Sequence, residues 1–334
     1  ALYDAERRLR MGSSDARSVA RKTGDRRRVD LIEQATNRND TRDGVIAGFV
    51  CYTLWGFLPV YFKLVIEVSS LEILAHRIIW AVPFGALIIG LRRQWPEVRV
   101  ALAHRTLMLW LTTTAALIAV NWYVYIIAVQ TDHIFQASLG YYINPLIFVV
   151  FGVLFFGERL RSLQRVAVAM AAIGVAVLAT SGSEFPWIAL FLGTSFAFYG
   201  VIRKRTVIGA MPGLLIETSI LAPFALIWLG SMMAAGQASF GSVGPGLTSL
   251  LILAGPITVV PLVAFAIAAR RLSLTTVGFM QFLAPTLQFM TGIYYGEELT
   301  LPRIICFVCI WIAVAFFSAD AIKQSRRRNE APAA

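Results

Sequence analysis

Metal ligands, catalytic groups and charge are all scarce in this sequence. Its three histidines, His76, His104 and His133, are scattered and form no HExxH pair. The three cysteines, Cys51, Cys306 and Cys309, all fall within apolar stretches and give a disulfide framework no support. Cys306-x-x-Cys309 has the spacing of half a zinc or redox motif, but with no second pair and no nearby histidine it reads as two small buried residues. No GxxxxGK[ST] phosphate loop is present, so direct coupling to ATP is not encoded. Glu217 is the one carboxylate well inside an apolar block, so a hydrolase buried in such a bundle would lack its paired acids, or its nucleophile and base. Neither a metal nor another cofactor is expected.

What the chain has instead is hydrophobic length. Of its 334 residues 57% are hydrophobic and 15% charged, and the mean hydropathy is +0.69. A soluble domain of this size is far more polar. Ten blocks are long enough, or nearly so, to cross a hydrocarbon core of about 30 Å as helices. They lie at 44–66, 72–91, 106–129, 134–156, 163–180, 186–203, 213–234, 247–269, 274–295 and 302–322.

The blocks repeat. Advancing by 140 residues places Ile127-Ala128 on Ile267-Ala268, Pro145 on Pro285, Gly152 on Gly292, Pro83-Phe84 on Pro223-Phe224 and Leu74 on Leu214. With one residue dropped, Gly157-Glu158 falls on Gly296-Glu297. A single offset that serves separate segments indicates a duplicated unit. Five spans per unit is an odd number, so the second copy enters the membrane in the opposite sense. The expected fold is therefore an all-α polytopic membrane protein of ten transmembrane helices in two inverted five-helix repeats, residues 44–182 and 183–322. Carriers built this way hold substrate near the midplane, between the repeats.

A pI near 10.0 and a formal charge of +11 raise the question of nucleic acid, and the placement of the charge answers it. Of thirty Lys and Arg residues, eleven precede Gly44 and sixteen lie in Arg92 to Arg105, Arg159 to Arg165, Arg203 to Arg205, Arg270-Arg271 and Lys323 to Arg328. Counting spans puts all of these on one side and Arg303 alone on the other. That asymmetry follows the positive-inside rule, so both termini and the basic loops are expected in the cytoplasm and no nucleic-acid partner is expected. Residues 1–43 mix basic and acidic side chains with few large apolar ones and are expected to form a disordered basic arm without the apolar core of a signal peptide. Residues 323–334 form a basic tail.

Candidate site residues follow from polar groups placed in apolar spans. Tyr52, Trp55, Pro59 and Lys63 make one helical stripe, and Arg77 lies about 8–9 Å in from Leu71 by helical rise. Two readings of Lys63 and Arg77 stay open: snorkelling to the headgroups, or guarding the outer mouth of a cavity that meets an anionic group. Asn121 and Tyr125 share a face of the third span, and Tyr141 and Asn144 flank Pro145 in the fourth. Gln281 and Gln288 lie on the Pro285 face of the ninth. A proline within a helix frees the carbonyl four residues earlier, which needs a partner or a wet cavity in a membrane. Pro145 and Pro285 thus either shape the bundle as kinks or mark a site. Glu217 is expected to pair with the Arg203-Lys204-Arg205 loop or to couple protons.

The runs YTLWGFLPVYFKLV, EILAHRIIW, NWYVYIIAV, QASLGYYINPL, FFGERL, FMQFLAPTL, YYGEEL and IWIAVAFFSADAI carry a family resemblance. Over about Gly44 to Arg328 the chain resembles the RarD family of bacterial inner-membrane proteins, in the EamA branch of the drug/metabolite transporter superfamily. The resemblance implies an exporter or permease that works by alternating access, with a small-molecule substrate held between the repeats. It carries over no individual binding residue. Membrane lipid is the other expected partner, and the sequence does not encode the oligomeric state.

Overall fold

The computed structural model describes residues 26–156, 160–181, 185–272 and 274–330. Gly157-Glu158, within the repeated motif, lies outside them, as do residues 1–25 and 331–334. Among the described residues the chain is helical throughout and has no strand. The helices are α1 (Arg26–Gly56), α2 (Leu58–Leu64), α3 (Ser70–Leu91), α4 (Trp95–Ala103), α5 (Arg105–Gln130), α6 (Ile134–Phe156), α7 (Ser162–Thr180), α8 (Trp187–Arg205), α9 (Ala210–Ala234), α10 (Pro245–Arg271), α11 (Leu274–Met280), α12 (Leu283–Tyr294) and α13 (Leu301–Glu330).

Seven stretches among the described residues are long and apolar enough to cross a membrane. They are Thr41–Leu64, Ser70–Leu91, Arg105–Gln130, Ser162–Thr180, Ala210–Ala234, Pro245–Arg271 and Leu301–Lys323. Trp187–Arg203 is apolar but shorter. This is a multi-pass, all-helical membrane protein.

Three features depart from the sequence reading, each for a local reason. Helix α1 begins at Arg26, within the arm expected to be disordered. Extending a helix already nucleated by an apolar span fixes one residue per hydrogen bond, without the cost of a new nucleus. The first apolar block bends at Phe57, because Pro59 in the opening turn of α2 has no N–H to continue the ladder. The block expected at 274–295 is two helices broken at Gln281-Phe282, just ahead of Pro285, whereas Pro145 sits inside the unbroken α6. A short helix, α4, also occupies part of the basic loop after α3.

Small residues set the closest approaches. A Cβ on Gly255 of α10 would lie 2.6 Å from the Trp80 carbonyl oxygen of α3, and one on Gly140 of α6 would lie 2.9 Å from the Ala189 carbonyl oxygen of α8. A Cβ on Gly174 of α7 would meet Cys309 Cβ of α13 at 2.8 Å, so the buried cysteines serve as small packing residues. The chief pairings are α1 with α10, α5 with α8, α3 with α9 and α10, α6 with α8 and α12, and α7 with α13. One large apolar cluster, built on Phe62, Ile73, Tyr125, Ile126, Leu192 and Leu251, joins α2, α3, α5, α8 and α10.

Candidate functional site

Arg77 is the centre of the arrangement. It is 4% exposed, and its guanidinium lies 4.3 Å from the centroid of the Trp122 ring and 5.5 Å from that of Phe62. Its Nε donates to Thr258 Oγ1 at 3.2 Å. No carboxylate lies within 4 Å among the described residues. A cation inside a bilayer costs about 2.5–3.5 kcal/mol even on insertion scales. The aromatic faces and one hydrogen bond offset part of that, yet they engage one of five N–H donors.

Aromatic rings lead away from this guanidinium. Phe62 meets Tyr125 edge-on at 5.8 Å, Tyr125 meets Tyr141 at 5.7 Å, Tyr141 meets Phe196 at 6.1 Å and Phe196 meets Tyr199 at 5.8 Å. The Tyr125 hydroxyl is buried with no hydrogen-bond partner among the described residues, as is Asn144 Oδ1 on α6. Tyr141, Phe196 and Tyr199 are half-buried.

The chain of rings ends at a second buried charge. Glu217 is fully buried; it accepts from Thr114 Oγ1 at 2.6 Å and from the Tyr199 hydroxyl at 3.2 Å, and lies 3.8 Å from Arg203 Nε. Arg203 also donates to the Gly209 carbonyl at 3.2 Å. Gly213 makes room for it, since a Cβ there would lie 2.3 Å from the guanidinium. Arg77 of α3 thus bonds Thr258 of α10, and Glu217 of α9 bonds Thr114 of α5.

The other candidates are placed elsewhere. Asn121 turns toward α8, where Nδ2 donates to Ser195 Oγ at 2.9 Å and to the Leu192 carbonyl at 3.1 Å. Gln288 donates from Nε2 to the Trp55 carbonyl at 3.1 Å. That carbonyl is the one Pro59 frees, so an amide on α12 completes the broken turn of α1. Gln281 is half-buried at the break between α11 and α12. Lys63 lies away from Arg77, 2.5 Å from Asp132 Oδ1 and 5.6 Å from the centroid of Tyr295. Pro285 faces α6 directly: its carbonyl accepts from Ser138 Oγ at 2.7 Å, and Thr286 Oγ1 lies 2.7 Å from the Tyr142 hydroxyl. Around Pro285, therefore, α6 and α12 are closed on each other by packing.

Glu297 strengthens that closure, in a role the sequence reading did not give it. Its carboxylate accepts from the backbone N–H groups of Ile134 and Phe135, the latter at 2.9 Å, and so caps the start of α6 from the α12–α13 connection. Burial pushes its carboxyl above the ordinary range, against the two N–H groups and the nearby Arg303 and His133. Two more links lie at this end: Glu72 accepts from Ser239 N at 2.8 Å and Phe240 N at 3.0 Å, and Gln130 donates to the Val68 carbonyl at 2.7 Å. At the basic end the ties are Glu97 to Gly209 N at 2.5 Å, Arg271 to Asp43 at 2.9 Å and Arg161 to Asp320 at 3.2 Å. Trp122, Phe62 and Thr258 also escaped sequence reasoning. An offset of 144, which pairs Thr114 with Thr258 and Trp55 with Tyr199, was the signal that would have found the threonines.

Comparison with known proteins agrees with the architecture. Residues 42–180 match the model of the EamA-like transporter family. Protein RarD of Escherichia coli (strain K12) is 41% identical over 291 residues, which cover 87% of this chain and 98% of that protein. A protein of Vibrio cholerae named only as an uncharacterized transporter is 40% identical over 297 residues, covering 88% and 98%. A solved crystal structure superposes with a TM-score of 0.56 at 18% identity, over 84% of this chain and 99% of its own, a likeness of fold.

Proposed function

Because the chain belongs to the RarD family of EamA-like transporters, we propose that it moves a small organic solute across the bacterial cytoplasmic membrane as a secondary transporter working by alternating access. In this reading ten spans form two inverted five-helix repeats, with α1 and α2 together as the first span and α11 and α12 together as the ninth. The helix pairings support it. Exchanging the halves turns α1 with α10 into α8 with α5 and α12 with α1 into α6 with α8, and returns α3 with α9, α6 with α12 and α7 with α13 to themselves. A two-fold axis in the membrane plane has this consequence. Both termini and the basic loops then face the cytoplasm.

The observation that carries the reading is Arg77, buried between the rings of Phe62 and Trp122 without a carboxylate, together with polar atoms of Tyr125 and Asn144 that have no partner among the described residues. Small-molecule sites pair apolar faces with a few such groups. Tyr141 lines the same path, while Asn121, Gln288 and Lys63 are engaged elsewhere in this state, by Ser195, the Trp55 carbonyl and Asp132. The closures at the Asp132 and Glu297 end would have to open in the opposite state, so that the solute leaves by that side in one state and by the basic end in the other. Counterflow into vesicles reconstituted with the full chain tests this. Uptake of a labelled solute driven by the same unlabelled solute inside is expected, and single replacements of Arg77, Asn144 or Tyr141 are expected to lower it at least tenfold. A solute that binds but shows no counterflow would make the protein a receptor instead.

A further inference from the structure

We propose that this site takes its solute as a monoanion, with a carboxylate seated on Arg77 and an aromatic or apolar body lying along Tyr125 and Tyr141. The proposal rests on the transport-site reading above and narrows its substrate class. Three observations carry it.

First, Arg77 is a buried cation without a counter-charge. Of the charged groups in the spans, Glu217 has Arg203, and Lys63 has Asp132. Arg77 alone of these three has no oppositely charged partner among the described residues, and its terminal amines have no hydrogen-bond acceptor there. A planar, two-toothed donor left open in a low-dielectric setting matches a carboxylate in both charge and geometry.

Second, the surroundings set the charge of the ligand. Lys63 and Arg203 are committed to Asp132 and Glu217, which leaves one uncompensated positive charge at Arg77, so a dianion such as a phosphate monoester would bring one charge more than that guanidinium compensates, at a cost that the low dielectric magnifies. One positive charge selects one negative charge. The buried Tyr125 hydroxyl, which has no partner among the described residues, adds a neutral donor beside it.

Third, the walls are aromatic. Phe62 and Trp122 flank the guanidinium, and Tyr125, Tyr141 and Phe196 continue from them with ring centroids 5.7–6.1 Å apart. Such faces stack on a flat or apolar body and offer little to a strongly hydrated one. Thr258, anchored by its own bond to the Ala254 carbonyl at 2.8 Å, holds Nε and thereby aims the terminal amines.

The test compares acids with uncharged partners of the same shape: benzoate and phenylacetate against benzamide and phenylacetamide. Binding to the purified full chain is read by quenching of tryptophan fluorescence, since Trp122 stacks on Arg77, and by the shift in melting temperature. The acids are expected to bind at least tenfold more tightly than the amides. Arg77→Gln should abolish that preference and leave amide affinity within twofold. Arg77→Gln should also melt no lower than the wild type when empty, because it removes a buried charge that has no ion-pair partner. Should the variant fail to fold, Thr258→Ala gives the second reading, with acid affinity expected to fall three- to tenfold and amide affinity to stay constant. Equal affinities for acids and amides, no binding of either series, tighter binding of inorganic phosphate than of benzoate, or an acid preference that survives Arg77→Gln would each overturn the proposal. Failure of the transport reading shows differently: the acids bind with the Arg77-dependent preference, yet no counterflow of any bound acid is seen. Conversely, counterflow of a neutral solute that is indifferent to Arg77→Gln keeps transport and removes the carboxylate.

Discussion

At the scale of single residues, the structure separates buried charges that are matched from one that is not. Glu217 and Arg203 answer each other deep in the bundle, so removing one leaves the other desolvated and unpaired. Glu217→Ala should destabilise the protein by about 3–5 kcal/mol, seen as a lower melting temperature in detergent, and Glu217→Gln, which keeps an acceptor for Thr114 and Tyr199, should lose less. A second residue-scale expectation concerns Gln288 and Pro59. Gln288→Leu strands the Trp55 carbonyl at a cost of about 1–3 kcal/mol, while Pro59→Ala allows α1 to recover its own hydrogen bond. The double variant should therefore melt closer to the wild type than Gln288→Leu alone, and strict additivity would show that the amide does not serve that carbonyl.

Helices and their ends form the next scale. Helix α10 approaches α3 so closely at Gly255 that a methyl group would collide with the Trp80 backbone, which cannot turn aside as a side chain can. Gly255→Ala should cost about 1–3 kcal/mol by overpacking, measured by thermal unfolding. The cap on α6 by Glu297 gives a different outcome. Glu297→Ala removes an acceptor from the first two N–H groups of α6, a loss of about 0.5–2 kcal/mol, and also loosens the tie between α6 and the α12–α13 connection. We expect Glu297→Ala to raise the labelling rate of a thiol introduced as Ser138→Cys, which lies behind that tie against Pro285. An unchanged rate would mean that the cap stabilises α6 without closing this end.

For the whole molecule, the prediction is topological. Val207, 97% exposed between α8 and α9, and Gln237, exposed between α9 and α10, must lie on opposite sides of the membrane if α9 crosses it. In intact cells an impermeant thiol reagent should label Gln237→Cys and spare Val207→Cys; the three native cysteines are buried and give little background. Labelling of both from outside would break the inverted arrangement. At this scale much was legible in the sequence, because apolar length reports the membrane directly. The expected block edges lie within three residues of the helix ends at 106–129, 134–156, 163–180 and 247–269, where α5, α6, α7 and α10 are found. Proline was less legible: Pro145 leaves α6 continuous while Pro285 opens a new helix, although the two share a position in the repeat.

The sequence by itself determined a helical, multi-pass chain built of apolar blocks that repeat, because hydrophobic length and loop charge are properties of the local chain. It also brought forward Arg77, Tyr125 and Tyr141, since polar or aromatic residues in apolar blocks stand out without any structure. Only the tertiary structure decided which of the candidates meet. It set Arg77 against Trp122 and Thr258, sent Lys63 to Asp132, turned Asn121 to α8, and gave Gln288 to the carbonyl freed by Pro59. The physical reason is that the partner of a buried polar group is fixed by the helix that faces it, and in this chain that helix comes most often from the other half.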